Sequence, residues 1–248
     1  MLEHTFIHIK GIGRKTEQRL WERGIRTWGD FLETRKTIFS HSRDRFIRSK
    51  LETSIRHLDD IRFFRDRLSS GEMWRLLKAF EEKAVYFDIE TSGGYQGIDE
   101  ITVIGLYNGE DVQTFVNGIN LDEFEPAISD YDLVITFNGA TFDLPLIRQC
   151  FRNISLPPAH IDLRYLLKSL GYSGGLKRIE KELGIFRDLE IDGMDGYEAV
   201  RLWKAYEWGD LSALDRLIQY NTADIVNLEP LMEMGYNGMK AKLLFFEG

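Results

Sequence analysis

The sequence predicts a small all-helical N-terminal domain followed by an α/β domain whose mixed sheet is flanked by helices. Three features of the chain lead to this. Residues 1–71 read as entirely helical, with apolar side chains recurring every three or four residues in the longest stretch. From Met73 onward short apolar runs of strand length come first, with a hairpin signal among them, and helices follow. The charge also changes sign: residues 1–83 carry 19 Lys and Arg against 13 Asp and Glu, whereas residues 84–248 carry 13 against 27. A head of +6 on a body of −14, within a net charge of −8, suggests two modules with different electrostatic partners. Taken alone, the same counts also describe helix faces that are merely solvated.

In the head, "GIGRKTEQRLWERGIRTWGDFLE" places Gly11 and Gly13 before one short helix and Gly24 as its C-cap before another. A longer helix is expected from about Ser42, where Ile47, Leu51, Ile55, Leu58, Ile61 and Leu68 recur every three or four residues. Ser69-Ser70-Gly71 ends it, and the domains are accordingly 1–71 and 72–248. After a short helix near Met73, strands are expected at 84–90, 101–107 and 112–116, with Asn108-Gly109 turning between the last two. "DLVITFN" (Asp132 to Asn138) is a further strand leading into a helix near Leu144–Phe151, and "HIDL" (160–163) is a short extended piece before mostly helical chain. A hairpin early and helices interleaved later give a mixed sheet, not a doubly wound parallel one.

Several classes are set aside by composition. No apolar run approaches the roughly 18 residues of a membrane span. The N-terminus has no charged segment leading into an apolar one, so secretion is not expected. The single cysteine, Cys150, has no internal disulfide partner and fits a reducing cytoplasm, as a core residue or a bystander.

Acids then appear where a core pattern predicts none. In "YFDIETSGG" the apolar run Ala84-Val85-Tyr86-Phe87 continues into Asp88 and Glu90, which the period-two alternation of a strand points to the same side. Adjacent carboxylates at the end of a buried strand repel and lose solvation. In "ITFNGATFDLPLI", Asp143 opens a helix, a position where Asp commonly serves as an N-cap. In "SALDRLIQYNTADIVNLEPL", Leu217, Tyr220, Asp224, Asn227 and Leu231 form one helical stripe, with Tyr220 and Asp224 one turn apart. A carboxylate inside such a stripe is rare unless paired.

Together, "FDIET", "FNGATFD" and "YNTAD" resemble the three motifs of the DEDD (DnaQ-like) 3′–5′ exonucleases, in the family's order and across the acidic module, roughly 73–248. In that family the third motif carries a histidine five residues before its Asp or a tyrosine four before. Gln219 and Tyr220 stand at those positions, so the chain resembles the tyrosine (DEDDy) branch. The resemblance implies a ribonuclease-H-like fold and two divalent cations, Mg²⁺ or Mn²⁺, roughly 4 Å apart, held by Asp88, Glu90, Asp143 and Asp224. It gives Asp88 to both metals, Glu90 and Asp224 to the one that activates water, and Asp143 to the second. Tyr220 would orient the attacking water. Asn138 and Phe142, and Thr91 through its backbone, would contact the terminal nucleotide. Asp162 of "HIDL" matches no family ligand and reads as structural.

The head resembles a helix-hairpin-helix: Gly11-Ile12-Gly13 before a helix lets backbone N–H groups approach a phosphate, and Lys15 adds charge. A hairpin that only packs or binds protein is the other reading of those residues. The function implied is a metal-dependent 3′–5′ exonuclease releasing nucleoside 5′-monophosphates from single-stranded nucleic acid, without membrane partners. The alternative is an inactive binding or scaffold protein on the same fold.

Overall fold

The structure, a computed structural model, describes residues 1–94 and 99–244. The chain divides into two compact units, Met1–Glu81 with Tyr236–Gly248, and Glu82–Gly235.

The first unit is helical: α1 (Arg14–Glu22), α2 (Trp28–Glu33), α3 (His41–Arg56) and α4 (Ile61–Arg65), followed by 3₁₀ turns over Ser70–Ala79. Its core gathers Phe6, Leu20, Trp28, Phe31, Ile47, Leu51 and Phe64. Two boundaries differ from expectation. Arg23, not Gly24, is the C-cap of α1; Gly24 follows in a left-handed conformation (φ 82°) that only glycine adopts readily. The long helix from Ser42 is two, because the Asp60 carboxylate caps a new start by accepting from Arg62 and Phe63 N–H. Ile55, near the end of α3, is exposed. The Ser69–Gly71 stretch, expected as a break, begins the 3₁₀ turns.

The second unit holds a five-stranded sheet of β1 (Ala84–Thr91), β2 (Ile101–Tyr107), β3 (Val112–Val116), β4 (Leu133–Thr136) and β5 (Ala159–Asp162), in the order β3-β2-β1-β4-β5. β1–β2 and β2–β3 pair antiparallel, while β1–β4 and β4–β5 pair parallel. This is the mixed sheet that the strand pattern predicts, within the ribonuclease-H-like fold that the resemblance implies. The β2–β3 turn is held by the Asn108 side chain, which accepts from Glu110 and Asp111 N–H. Helices α5 (Phe124–Ile128), α6 (Asp143–Cys150), α7 (Leu163–Ser169), α8 (Leu176–Leu183), α9 (Gly196–Glu207) and α10 (Leu211–Leu244) complete the chain.

Strand alternation decides what each face of the sheet carries. Val85, Phe87 and Ile89 pack with Ile104, Leu106, Phe124 and Leu144 on one side. Asp88 and Glu90 therefore face the other, where α10 crosses. Asp88 pairs across the ladder with Gly105, and a Cβ there would collide with Asn221 of α10. The glycine lets the helix approach β1 closely enough to bring its own residues to the two acids. Cys150 is exposed and so not a core residue. Among the described residues, no helix is long and apolar enough to cross a membrane.

Candidate active site

Three elements supply the acids. Asp88 and Glu90 come from the end of β1, where the ladder with β2 shifts register between Glu90 and Thr91. Asp224 comes from α10, one turn after Tyr220. Ligand oxygens of Asp88, Glu90 and Asp224 all lie within 4.8 Å of one another. Asp143 is the first residue of α6; Phe142, not Asp143, holds the N-cap position, and its side chain makes no capping bond. The Asp143 carboxylate accepts instead from Ile89 N–H across at β1, at 3.3 Å. The helix start thus presents this acid to the same pocket of about 250 Å³ that Asp88, Glu90, Tyr220 and Asp224 line.

The loop before α6 is fixed by a residue outside the acids. Asp162 accepts from Asn138 N–H (2.8 Å) and Ala140 N–H (3.1 Å), and from Arg164 N–H as it caps α7. Its role is structural, as the sequence suggests. Asn138 is held at φ 69°, uncommon for a non-glycine residue, and its side chain accepts from Thr141 Oγ and Arg164. Asn138, Phe142 and Thr91 line the acid pocket. Gly11, Gly13 and Lys15 belong to the first unit.

The electrostatics are those of unreconciled charge. Burial, then the charges of Asp143, Asp224 and Glu90, pushes Asp88 well above the usual carboxylate range. Burial and Asp224 do the same to Glu90. Asp143 is pushed up to about 7, chiefly by burial, against hydrogen bonds from its own and Ile89 N–H. Asp88 opens on the pocket and is only half-buried by exposed area, yet protein surrounds it closely enough for burial to dominate. The Tyr220 hydroxyl, buried beside Asp224, Glu90 and Asp88, is also raised, so it stays a neutral phenol.

Sequence reasoning missed three neighbours. Asn221 is fully buried and donates through Nδ2 to Asp88 Oδ2 at 3.2 Å. Lys177 of α8 donates to the Tyr220 hydroxyl and lies 4.2 Å from the ring centroid. Arg187, its side chain 3% exposed, donates from Nε and Nη2 to Glu180 at 2.8 and 2.7 Å. Its Nη2 also lies against Asp224 Oδ1, as an ion pair without the angle of a hydrogen bond. Asp224 remains raised by burial even so. Asn221 stood inside a quoted motif and could have been found there, as a polar residue on a buried helix face. Lys177 and Arg187 gave no local signal, because they reach the site only through tertiary packing.

Residues 85–236 match the family model described as the RNase H superfamily. The chain belongs to that superfamily. No curated protein matches it by sequence. Among solved structures it is similar to Escherichia coli RNase D, an exoribonuclease involved in structured RNA processing, at 18% identity and a TM-score of 0.48, over 69% of this chain and 43% of that one. It is also similar to the Aedes aegypti Nibbler EXO domain, at 14% identity and a TM-score of 0.47, over 70% and 91%. A third is the family B DNA polymerase of the hyperthermophilic archaeon Pyrobaculum calidifontis, at 16% identity and a TM-score of 0.46, over 65% and 24%. The matched part spans less than half of the RNase D chain. In this superfamily domain the matched segment contains all four acids and Tyr220.

Proposed function

We propose that the protein is a metal-dependent 3′–5′ exonuclease of the DEDDy type, acting on single-stranded nucleic acid. The observation that carries this is the convergence of Asp88, Glu90 and Asp224 within 4.8 Å, with Asp143 in the same pocket. Buried carboxylates are kept together against repulsion where a cation offsets them. An all-oxygen carboxylate set suits hard Mg²⁺ or Mn²⁺ rather than softer ions. Four carboxylates balance two such cations almost charge for charge. Asp88, Glu90 and Asp224 would hold one, with Asp88 and Asp143 toward a second. When bound, they would activate water and stabilise charge on the phosphate and leaving oxygen.

The chain's own residues do the rest. Tyr220, kept neutral by burial, is a hydrogen-bond donor toward water and not a base. Lys177 fixes its hydroxyl. Asn221 holds one oxygen of Asp88. Asn138, Phe142 and Thr91 form the wall where the terminal nucleotide would lie. In the head, Gly11 turns at φ 85° and Gly13 caps α1, with no atom within 4 Å of where a Gly13 Cβ would stand. That open space before a helix, with Lys15 beside it, supports a helix-hairpin-helix grip on a phosphate.

An inactive binding protein is the second reading, and Arg187 against Asp224 is the observation on its side. One assay separates the two. Single-stranded DNA and RNA labelled at either end should release mononucleotides from the 3′ end, with Mg²⁺ or Mn²⁺ and not with chelator. Asp88→Asn or Asp224→Asn should lower the rate by about 10³-fold or more. Cleavage without metal, or mononucleotides released first from the 5′ end, would refute the proposal. Absence of metal-dependent hydrolysis would favour the inactive reading.

A further inference from the structure

Beside the acid pocket, α8 and the segment leading to α9 enclose a groove of about 730 Å³, a size typical of ligand sites. It shares walls with the site. Lys177 lines the groove and bonds Tyr220; Arg187 lines it and pairs with Asp224. Two apolar side chains in its lining are almost wholly exposed, Phe186 at 87% and Leu189 at 92%. Exposure of that degree gives these residues no packing role.

The groove's charges are unevenly engaged. Glu180 is covered by Arg187, Asp192 lies 3.6 Å from Lys181, and Asp195 caps α9 by accepting from Tyr197 and Glu198 N–H. Lys177 bonds a neutral phenol and also faces the acids of the pocket, whose charges it partly offsets. Arg178 stands on the same wall, one residue on. Cations along a groove wall, beside an exposed aromatic ring, are what a single strand meets: phosphates on the cations, a base on the ring.

From this juxtaposition we propose that the groove binds the nucleotides preceding the terminal one, with a base stacked on Phe186 and phosphate near Lys177 and Arg178. The inference rests on the exonuclease reading for what enters the acid pocket, but its test does not.

Binding is measured by anisotropy of a labelled single-stranded decamer on Asp88→Asn, with and without Phe186→Ala. Phe186 is exposed, so the substitution leaves the core intact. Loss of one stacked base should weaken the Kd by roughly 5- to 100-fold, and Phe186→Trp should restore it. An unchanged Kd, or competition by poly-glutamate as effective as by unlabelled oligonucleotide, would overturn the proposal. In parallel, wild type and Phe186→Ala are compared on the decamer and on thymidine 5′-p-nitrophenyl phosphate. The KM increase should be several times larger on the decamer; equal increases would mean Phe186 acts through the acid site. If wild type hydrolyses neither substrate while the anisotropy loss is found, the groove stands and the exonuclease reading falls.

Discussion

Arg75 in the first unit and Asp88 in the second are both charged groups surrounded by protein, and their neighbours differ. Arg75, wholly buried, donates to both oxygens of Glu17 (3.1 and 2.9 Å) and to Glu72 (2.6 Å). Phe6 N–H (2.6 Å) and Ile7 N–H (3.2 Å) complete Glu17, and Arg14 reaches Glu72. Burial raises Glu17, and every other influence on it pulls the other way. Around Asp88 the pattern is reversed: burial, Asp143, Asp224 and Glu90 all raise it, opposed by Lys177 and one hydrogen bond from Asn221. The contrast separates a structural ion network, complete within the fold, from a cluster whose like charges the fold leaves largely unbalanced. A buried charge is informative through the balance of its neighbours, not through burial itself.

The comparison breaks first if the two networks respond alike to loss of a charge. Arg75→Met strands Glu17 and Glu72 and should destabilise by about 3–5 kcal/mol. Asp88→Asn removes a repelling charge and should not destabilise in chelator. Urea unfolding of both variants checks this; a loss of similar size in Asp88→Asn would give Asp88 a structural partner.

Next in size is Tyr220→Phe. Removing one positioning hydroxyl should lower kcat by about tenfold to a thousandfold, with half-saturating metal nearly unchanged. Wild-type turnover would remove Tyr220 from the chemistry, and a matching loss of metal affinity would make it part of the cation site.

The smallest effect is in the pH dependence, and it sharpens the contrast. Asp88, Glu90, Asp143 and Asp224 titrate higher folded than unfolded, so the native state binds more protons. Without metal, stability should fall as pH rises from the ordinary carboxylate range, about 4, through about 7, where Asp143 is placed. His8 and His160 act oppositely. Burial lowers both to about 4, so the native state binds fewer protons, and the stability that depends on their neutrality is lost as pH falls from about 6.5. Melting temperatures across pH should show both limbs in chelator. Saturating Mn²⁺ should remove only the alkaline limb; persistence of that limb would mean the acids do not hold the ion.

Much of this was legible in the sequence for physical reasons. Strands 84–91, 101–107 and 112–116 alternate or run apolar and are punctuated by Asn108-Gly109, so their limits read nearly residue for residue. Asp88, Glu90 and Asp224 stood out because charge within an apolar run or stripe is anomalous. The continuous helix through Ile55 and Leu58 misled, because its period continued across a break set by the Asp60 side chain. Lys177 and Arg187 were illegible: a surface-type residue that the fold turns inward looks in sequence like any other.

The central claim is that the acids of the second unit are held together for divalent cations. Thermal melts of wild type and Asp88→Asn, in chelator and in Mn²⁺, test it most directly. At a hundred times its dissociation constant, the ion should stabilise wild type by about 2.7 kcal/mol per site, several degrees for a chain of this size. Asp88→Asn should melt higher than wild type in chelator and gain clearly less from Mn²⁺. Equal metal-induced shifts in the two proteins would contradict the account.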